Sequence, residues 1–168
     1  MTVEGDARAH RPKKHSFFWE LGAHHVHKHH ARHHRKHHAR HAAHHKALPP
    51  IVVAHVHVGS QTMEVDVNGA SYGLWQVSTA GRGYHTPHGV FGAQRLARVY
   101  YSKKYDNSPM PNSVFFSGGN AIHGTNHIHS LGHPASHGCV RLLPQHAAEL
   151  FALVERYGMG RTRIVISD

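Results

Sequence analysis

From Ile51 onward the apolar residues fall on alternate positions. Val52, Ala54, Val56 and Val58 interleave with Val53, His55 and His57, and Met63, Val65 and Val67 interleave with Glu64 and Asp66. A period of two puts one set of side chains on a buried face, so each run reads as a half-buried strand. Asn68-Gly69 stands between the second run and Tyr72-Gly73-Leu74-Trp75-Gln76-Val77. Both residues tolerate positive φ, which predicts a tight hairpin turn there. Further short strands are expected over residues 89–93, 114–116, 121–123 and 163–166. One segment changes period: after Pro144, suited to a first helical turn, Ala147, Leu150, Phe151, Val154 and Tyr157 recur at three- and four-residue steps until Gly158. That spacing predicts a helix with one apolar stripe. Short strands at regular spacing with one late helix define a mainly β fold, a sandwich or barrel with the helix packed on it.

The first part of the chain has no such pattern. From His24 to His45, histidine pairs recur three to four residues apart with small or basic residues between them. No apolar face is available to offset the entropy of ordering, so residues 1–47 are expected to be a disordered or transiently helical arm. Pro49-Pro50 closes the arm and sets the following segment extended. The chain of 168 residues therefore divides into this arm and one domain, 48–168.

Charge follows the same division. The whole chain carries 19 Lys+Arg, 9 Asp+Glu and 24 His. Ten of the basic and three of the acidic residues precede Ala47, which leaves the body near +3, an ordinary mildly basic domain. Basicity gives no ground for a nucleic-acid enzyme, and no nucleic-acid partner is expected. No apolar run is long enough to cross a membrane, and the N-terminus lacks the pattern of a secretory leader. Either a leader has been lost or the chain stays inside the cell.

Cys139 is the only cysteine, which excludes an internal disulfide and a Cys-rich zinc site. A lone cysteine is more often a small buried hydrophobe than a catalyst. Its surroundings argue otherwise: Ala121-Ile122-His123-Gly124-Thr125 is followed, after a polar loop, by Pro134-Ala135-Ser136-His137-Gly138-Cys139-Val140-Arg141-Leu142. A thiol becomes a strong nucleophile only when a base or cation raises its thiolate fraction. His123 ends an apolar strand, where its ring is held rigidly over a neighbouring loop, whereas His137 lies only two residues from Cys139. The base is therefore assigned to His123 and the nucleophile to Cys139. Attack on a carbonyl creates an oxyanion, best met by backbone N–H groups around Ser136, His137, Gly138 and Cys139. Gly138, without a Cβ, permits the close approach this requires.

These residues resemble the signature of the L,D-transpeptidase catalytic domain family: a histidine, a spacer, then Ser/Thr-His-Gly-Cys, a hydrophobic residue and Asn or Arg. The resemblance runs back through Val77-Ser78-Thr79-Ala80-Gly81-Arg82, Thr86-Pro87-His88-Gly89-Val90-Phe91 and Met110-Pro111-Asn112-Ser113-Val114-Phe115-Phe116, and forward to Ile166. It implies a mostly β fold with a cradle over the cysteine, and a two-step reaction on a peptidoglycan tetrapeptide stem. The thiolate attacks the carbonyl before a terminal D-residue, and an amine acceptor, from the wall or an envelope protein, resolves the thioester. A hydrolase using water on the same stem is the alternative. The group behind the base is Gly124 or Thr125, and Arg141 either binds a stem carboxylate or bonds within its loop. Ala80 departs from the more usual Ser-Thr-Gly in a turn expected to lie away from the cysteine. The implied place of action is the periplasm or cell envelope.

No cofactor is expected, and no metal site within the domain. His55 and His57 share a strand face and read as solvated; Val114-Phe115-Phe116 and Tyr100-Tyr101 read as core. The arm's imidazoles suit opportunistic divalent metal binding, and its positive charge suits a tether to anionic wall polymer or lipid. A metal-sequestering protein acting through the arm is the reading from a different class.

Overall fold

The structure, a computed structural model, describes residues 49–168. The arm and the roles expected of it fall outside the described residues. The strands are β1 (Val52–His57), β2 (Thr62–Val67), β3 (Ala70–Ser78), β4 (Gly89–Gly92), β5 (Arg95–Ala97), β6 (Tyr101–Ser102), β7 (Ser108–Pro109), β8 (Ser113–Ser117), β9 (Asn120–Gly124), β10 (Val140–Leu142) and β11 (Thr162–Ser167), with one α-helix, α1 (Pro144–Tyr157). The domain is mainly β with one late helix, as the periodicity indicates.

Nine strands form a curled sheet in the order β4-β11-β1-β2-β3-β10-β9-β8-β5, and β6 with β7 forms a separate two-stranded ribbon. The hairpin between β2 and β3 turns on Asn68 (φ 54°) and Gly69 (φ 78°), the left-handed pair that the sequence signals. β3 begins at Ala70, two residues earlier than the apolar run, and a register irregularity between Val65 and Asp66 absorbs the difference. Its nine residues serve two partners. Ala70 to Gln76 pair with β2, while Val77 and Ser78 pair with β10. β3 thus carries the sheet from its β1/β2 half into the half that holds Cys139.

Two pairings are parallel, β1 with β11 and β9 with β10. The second needs a crossover between residues 124 and 140, and a long loop supplies it. β5, β6, β7 and β10 escape the periodicity argument because two or three residues cannot display a period.

The inner face is dry. Val52, Ala54, Val56, Met63, Val65, Phe116, Ile164 and the α1 stripe of Ala147, Leu150, Phe151 and Val154 form one cluster. Phe91 meets Phe116 with ring centroids 5.3 Å apart, where the curl brings β4 toward β8. α1 ends at Gly158, whose φ of 90° releases the chain into β11. Its first turn lies directly on β9: a Cβ on Gly124 would stand 3.3 Å from the Pro144 Cα and 3.4 Å from the Ala147 Cβ. No helix among the described residues is long and apolar enough to cross a membrane.

Phe116 is fully buried where both halves of the sheet converge. Phe116→Ala is expected to lower unfolding free energy by about 3–5 kcal/mol in urea titration, with the cavity left unfilled.

Candidate active site

Two adjacent parallel strands set the geometry. Arg141 pairs with His123 and Val140 with Ile122, so Cys139, just before β10, lies beside Ala121. Ala121 contributes a backbone hydrogen bond to the thiol. His123, only 5% exposed, points Nδ1 at the Gly124 carbonyl oxygen, 2.8 Å away. A carbonyl can only accept, so Nδ1 carries the proton and Nε2 is left as the proton acceptor. Of the two residues expected behind the base, Gly124 makes this contact. Thr125 is buried and donates its amide to the Leu142 carbonyl (2.9 Å), fixing the strand exit.

Burial dominates the electrostatics. It holds the His123 imidazole down at about 4, helped by the positive charge of Arg141 and opposed by the Gly124 hydrogen bond. Burial also pushes the Cys139 thiol up, against the Ala121 hydrogen bond and the attraction of Arg141. At neutral pH the pair rests as neutral imidazole and thiol. Arg141 is half-buried, which pushes its own guanidinium down, and Nη1 donates to the Ala135 carbonyl at 3.3 Å. It therefore makes the loop hydrogen bond while also facing the cavity.

The turn before Cys139 is internally bonded. Ser136 Oγ donates to the Cys139 carbonyl (2.6 Å) and accepts the Gly138 amide (3.0 Å). The Gly138 N–H, counted from the sequence among the oxyanion donors, is thereby engaged. The amides of His137 and Cys139 have no acceptor among the described residues. Gly138 takes φ 133°, and a Cβ there would come within 2.7 Å of Asn120 Oδ1 and 3.0 Å of the His85 carbonyl oxygen. His137 is gripped by two aromatics: Tyr105 stacks on it at 4.3 Å and 15°, and Tyr84 meets it edge-on at 4.4 Å.

The segment carrying Ala80 does not lie away from the cysteine. Thr79 O accepts the amides of Ala135 (2.9 Å) and Ser136 (2.8 Å), and Gly81 N donates back to Ser136 O (2.9 Å). Ser78 Oγ bonds the His133 carbonyl at 2.7 Å. Thr79 is itself held by Gln61, whose Oε1 accepts the Thr79 amide (2.9 Å) and whose Nε2 donates to Thr79 Oγ1 (2.6 Å) and the Val58 carbonyl (2.6 Å). Sequence reasoning passed over Gln61 because a lone glutamine in a turn carries no motif.

Cys139, His123, Arg141, Ser136 and His137 line a cavity of about 590 Å³. Tyr100 is half-buried, packing on the cluster of Met110, Phe115 and Ala121 while also lining the cavity, so it meets the expected core in part; Tyr101 is 55% exposed and departs from it, whereas Val114, Phe115 and Phe116 are buried. His55 and His57 are half-buried with rings 6.0 Å apart. No cluster of three or more metal-ligating side chains occurs among the described residues.

The sequence profile of the L,D-transpeptidase catalytic domain family, YkuD, matches residues 51–166. The chain belongs to this family. Solved structures agree in fold. An L,D-transpeptidase from Stackebrandtia nassauensis is 25% identical, with a TM-score of 0.62 over 76% of this chain and 61% of that one. One from Mycobacterium tuberculosis H37Rv is 19% identical, with a TM-score of 0.64 over 71% and 58%. L,D-transpeptidase 3 from Mycobacterium tuberculosis, in complex with a faropenem-derived adduct, is 18% identical, with a TM-score of 0.62 over 71% and 61%. The chain thus spans about three fifths of the length of these relatives. No curated protein matches it.

Gln61→Met removes the partners of two buried Thr79 groups while keeping apolar volume. It is expected to cost about 2 kcal/mol in urea unfolding and to raise hydrogen exchange at Ala135 and Ser136.

Proposed function

We propose that this L,D-transpeptidase domain transfers acyl groups between peptidoglycan stem peptides, with Cys139 as nucleophile and His123 as general base. The observation that carries the reading is the convergence of a Gly124-anchored neutral imidazole and a single thiol in one cavity, on neighbouring parallel strands.

The chemistry follows from that resting state. As Sγ of Cys139 attacks the carbonyl preceding the terminal D-residue, its proton passes to Nε2 of His123, so thiolate develops only along the reaction coordinate. The oxyanion is met by the unengaged amides of Cys139 and His137, with the Arg141 charge nearby. The imidazolium then protonates the departing amine as the C–N bond breaks, leaving a thioester. An amine acceptor, from a second stem or an envelope protein, gives its proton to His123 as it attacks, and the thiol is restored. Such a substrate puts the site of action in the cell envelope.

Intact-mass spectrometry of wild type and Cys139→Ala with a disaccharide-tetrapeptide and with faropenem tests this. An adduct on the wild type alone, with a cross-linked product, is expected. Shortened stem without cross-link would transfer the reading to a hydrolase, and absence of any adduct on reduced protein would overturn it.

The pH dependence has a defined sign. Because His123 stays neutral down to about 4, faropenem acylation is expected to keep its base well below the usual histidine range and to lose it near pH 4. The Arg141 charge lowers both His123 and Cys139. Arg141→Met therefore shifts the acid limb upward and slows acylation at neutral pH by roughly tenfold, as read from rates between pH 3 and 8.

A further inference from the structure

The ribbon of β6 and β7 stands at the cavity and has no part in the chemistry above. Its two strands pair Tyr101 with Pro109 and Ser102 with Ser108, and Asp106 and Asn107 turn the chain with φ of 46° and 50°. The Tyr105 amide donates to Ser102 O (3.3 Å) and the Ser108 amide to Tyr105 O (2.8 Å), closing the turn on itself. Tyr105 stacks on His137, two residues before the nucleophile, so the ribbon tip is fastened to the cysteine loop. Lys103 and Lys104 precede that tyrosine, and Lys104 Nζ lies 5.2 Å from the centre of its ring.

Both lysines line the cavity together with Arg141, and no aspartate or glutamate does. Asp106, on the same turn, is exposed and outside the lining. Neither lysine is ion-paired; the ion pairs among the described residues are His88–Asp168 and Arg98–Glu155, and none of these four residues lines the cavity. Both lysines are exposed, so solvent screens them in part, but a concave site lined by cations and no carboxylates still favours an anionic ligand, because field lines that converge there are screened less than at a flat surface.

We propose that Lys103 and Lys104 form a carboxylate-recognition subsite that makes this enzyme select acyl donors bearing a free carboxylate beside the scissile bond over the corresponding carboxamides. The inference rests on the transpeptidase reading for the identity of the ligand and on the charge arrangement for its chemistry. Two groups of a stem can supply the carboxylate: the terminal D-residue, or an acidic side chain on the residue preceding it. Flexible ammonium groups on a ribbon tip act as point charges, which suits recognition of a carboxylate in either place.

The test measures binding of three tetrapeptides by calorimetry: the free acid, the C-terminal carboxamide and the side-chain carboxamide. Cys139→Ala is the host, so binding is read without turnover, with Lys103→Gln/Lys104→Gln and Lys103→Arg/Lys104→Arg compared in the same background. The unsubstituted lysines are expected to favour the free acid by about tenfold over one carboxamide, identifying which carboxylate is read, and to lose that preference as salt rises. The glutamine pair brings the ratio close to one, and the arginine pair restores it. An equal ratio in the lysine and glutamine proteins, or no discrimination by the lysine protein, overturns the subsite. Failure of Cys139 to be acylated in the wild type removes the transpeptidase reading, and the binding ratios still decide the subsite.

Discussion

Everything at the cysteine depends on where the Thr79 carbonyl is held. That oxygen accepts two successive amides from the cysteine loop, and the loop returns one bond from Ser136 O to Gly81 N. A carbonyl at a strand end is free to rotate unless the peptides around it are fixed: the Ala80 amide, in the same peptide as that oxygen, donates to Thr86 Oγ1 (3.0 Å), and Gln61 fixes the preceding peptide by occupying both the amide and the hydroxyl of Thr79. The arrangement lies in buried surroundings, where each polar group left without a partner costs about 1–3 kcal/mol, so the network is held as a whole. Ser136 extends it by one step, binding the Gly138 amide and the Cys139 carbonyl with a single hydroxyl. The position of Cys139 is thus set by a chain of hydrogen bonds that starts in the β1–β2 turn, at Gln61.

This rigidity has an electrostatic counterpart. Burial opposes charge on both His123 and Cys139, which favours the neutral pair at rest, while Arg141 acts on both in one direction. A guanidinium close to the pair disfavours the imidazolium and favours the thiolate. It helps the sulfur to bear charge and keeps the imidazole free to accept a proton, at some expense to the ion pair formed during attack. The Gly124 carbonyl offsets that expense, since an Nδ1–H donor bond strengthens as the ring becomes cationic. His123 and Cys139 are thereby tuned by groups on their own two strands.

The sequence made the strands from 52 to 78, the hairpin at Asn68-Gly69 and the helix from Pro144 legible, because each displays several turns of its own period. It also singled out Cys139, His123 and the Gly138 turn, which line one cavity or border it on adjacent strands, since the chemical logic of a thiol and a candidate base is local to a motif. β5, β6, β7 and β10 stayed hidden because their two or three residues have no period, and their pairing is set by tertiary partners. Gln61 and the role of Thr79 stayed hidden for a related reason: a buried hydrogen-bond clamp is a relation between residues 18 apart, with no pattern in either neighbourhood. Tyr101 misled because aromatic residues are core on average, whereas here it is exposed, while Tyr100 packs on a core cluster and lines the cavity with its outer side.

The two sides of the cavity are built to different standards. On the sheet side, β9 and β10 are tied by their ladder, and a Cβ on Gly124 would be crowded by Pro111 at 3.2 Å and by α1 at 3.3 and 3.4 Å. His123 and the carbonyl that orients it therefore move only if the core moves. On the other side, the β6–β7 ribbon is a two-residue pairing whose tip meets the catalytic loop through the Tyr105–His137 stack. The root of the ribbon is tied by the Met110 amide to Tyr100 O (2.8 Å) and the Asn112 amide to Arg98 O (2.9 Å), and its tip adds the aromatic contact beside Cys139. Such a division suits the proposed acyl transfer in two steps: His123 and Cys139 keep a constant geometry on the sheet side, while the tip of the ribbon, joined to the cysteine loop by a stacking contact, is the side that can give way.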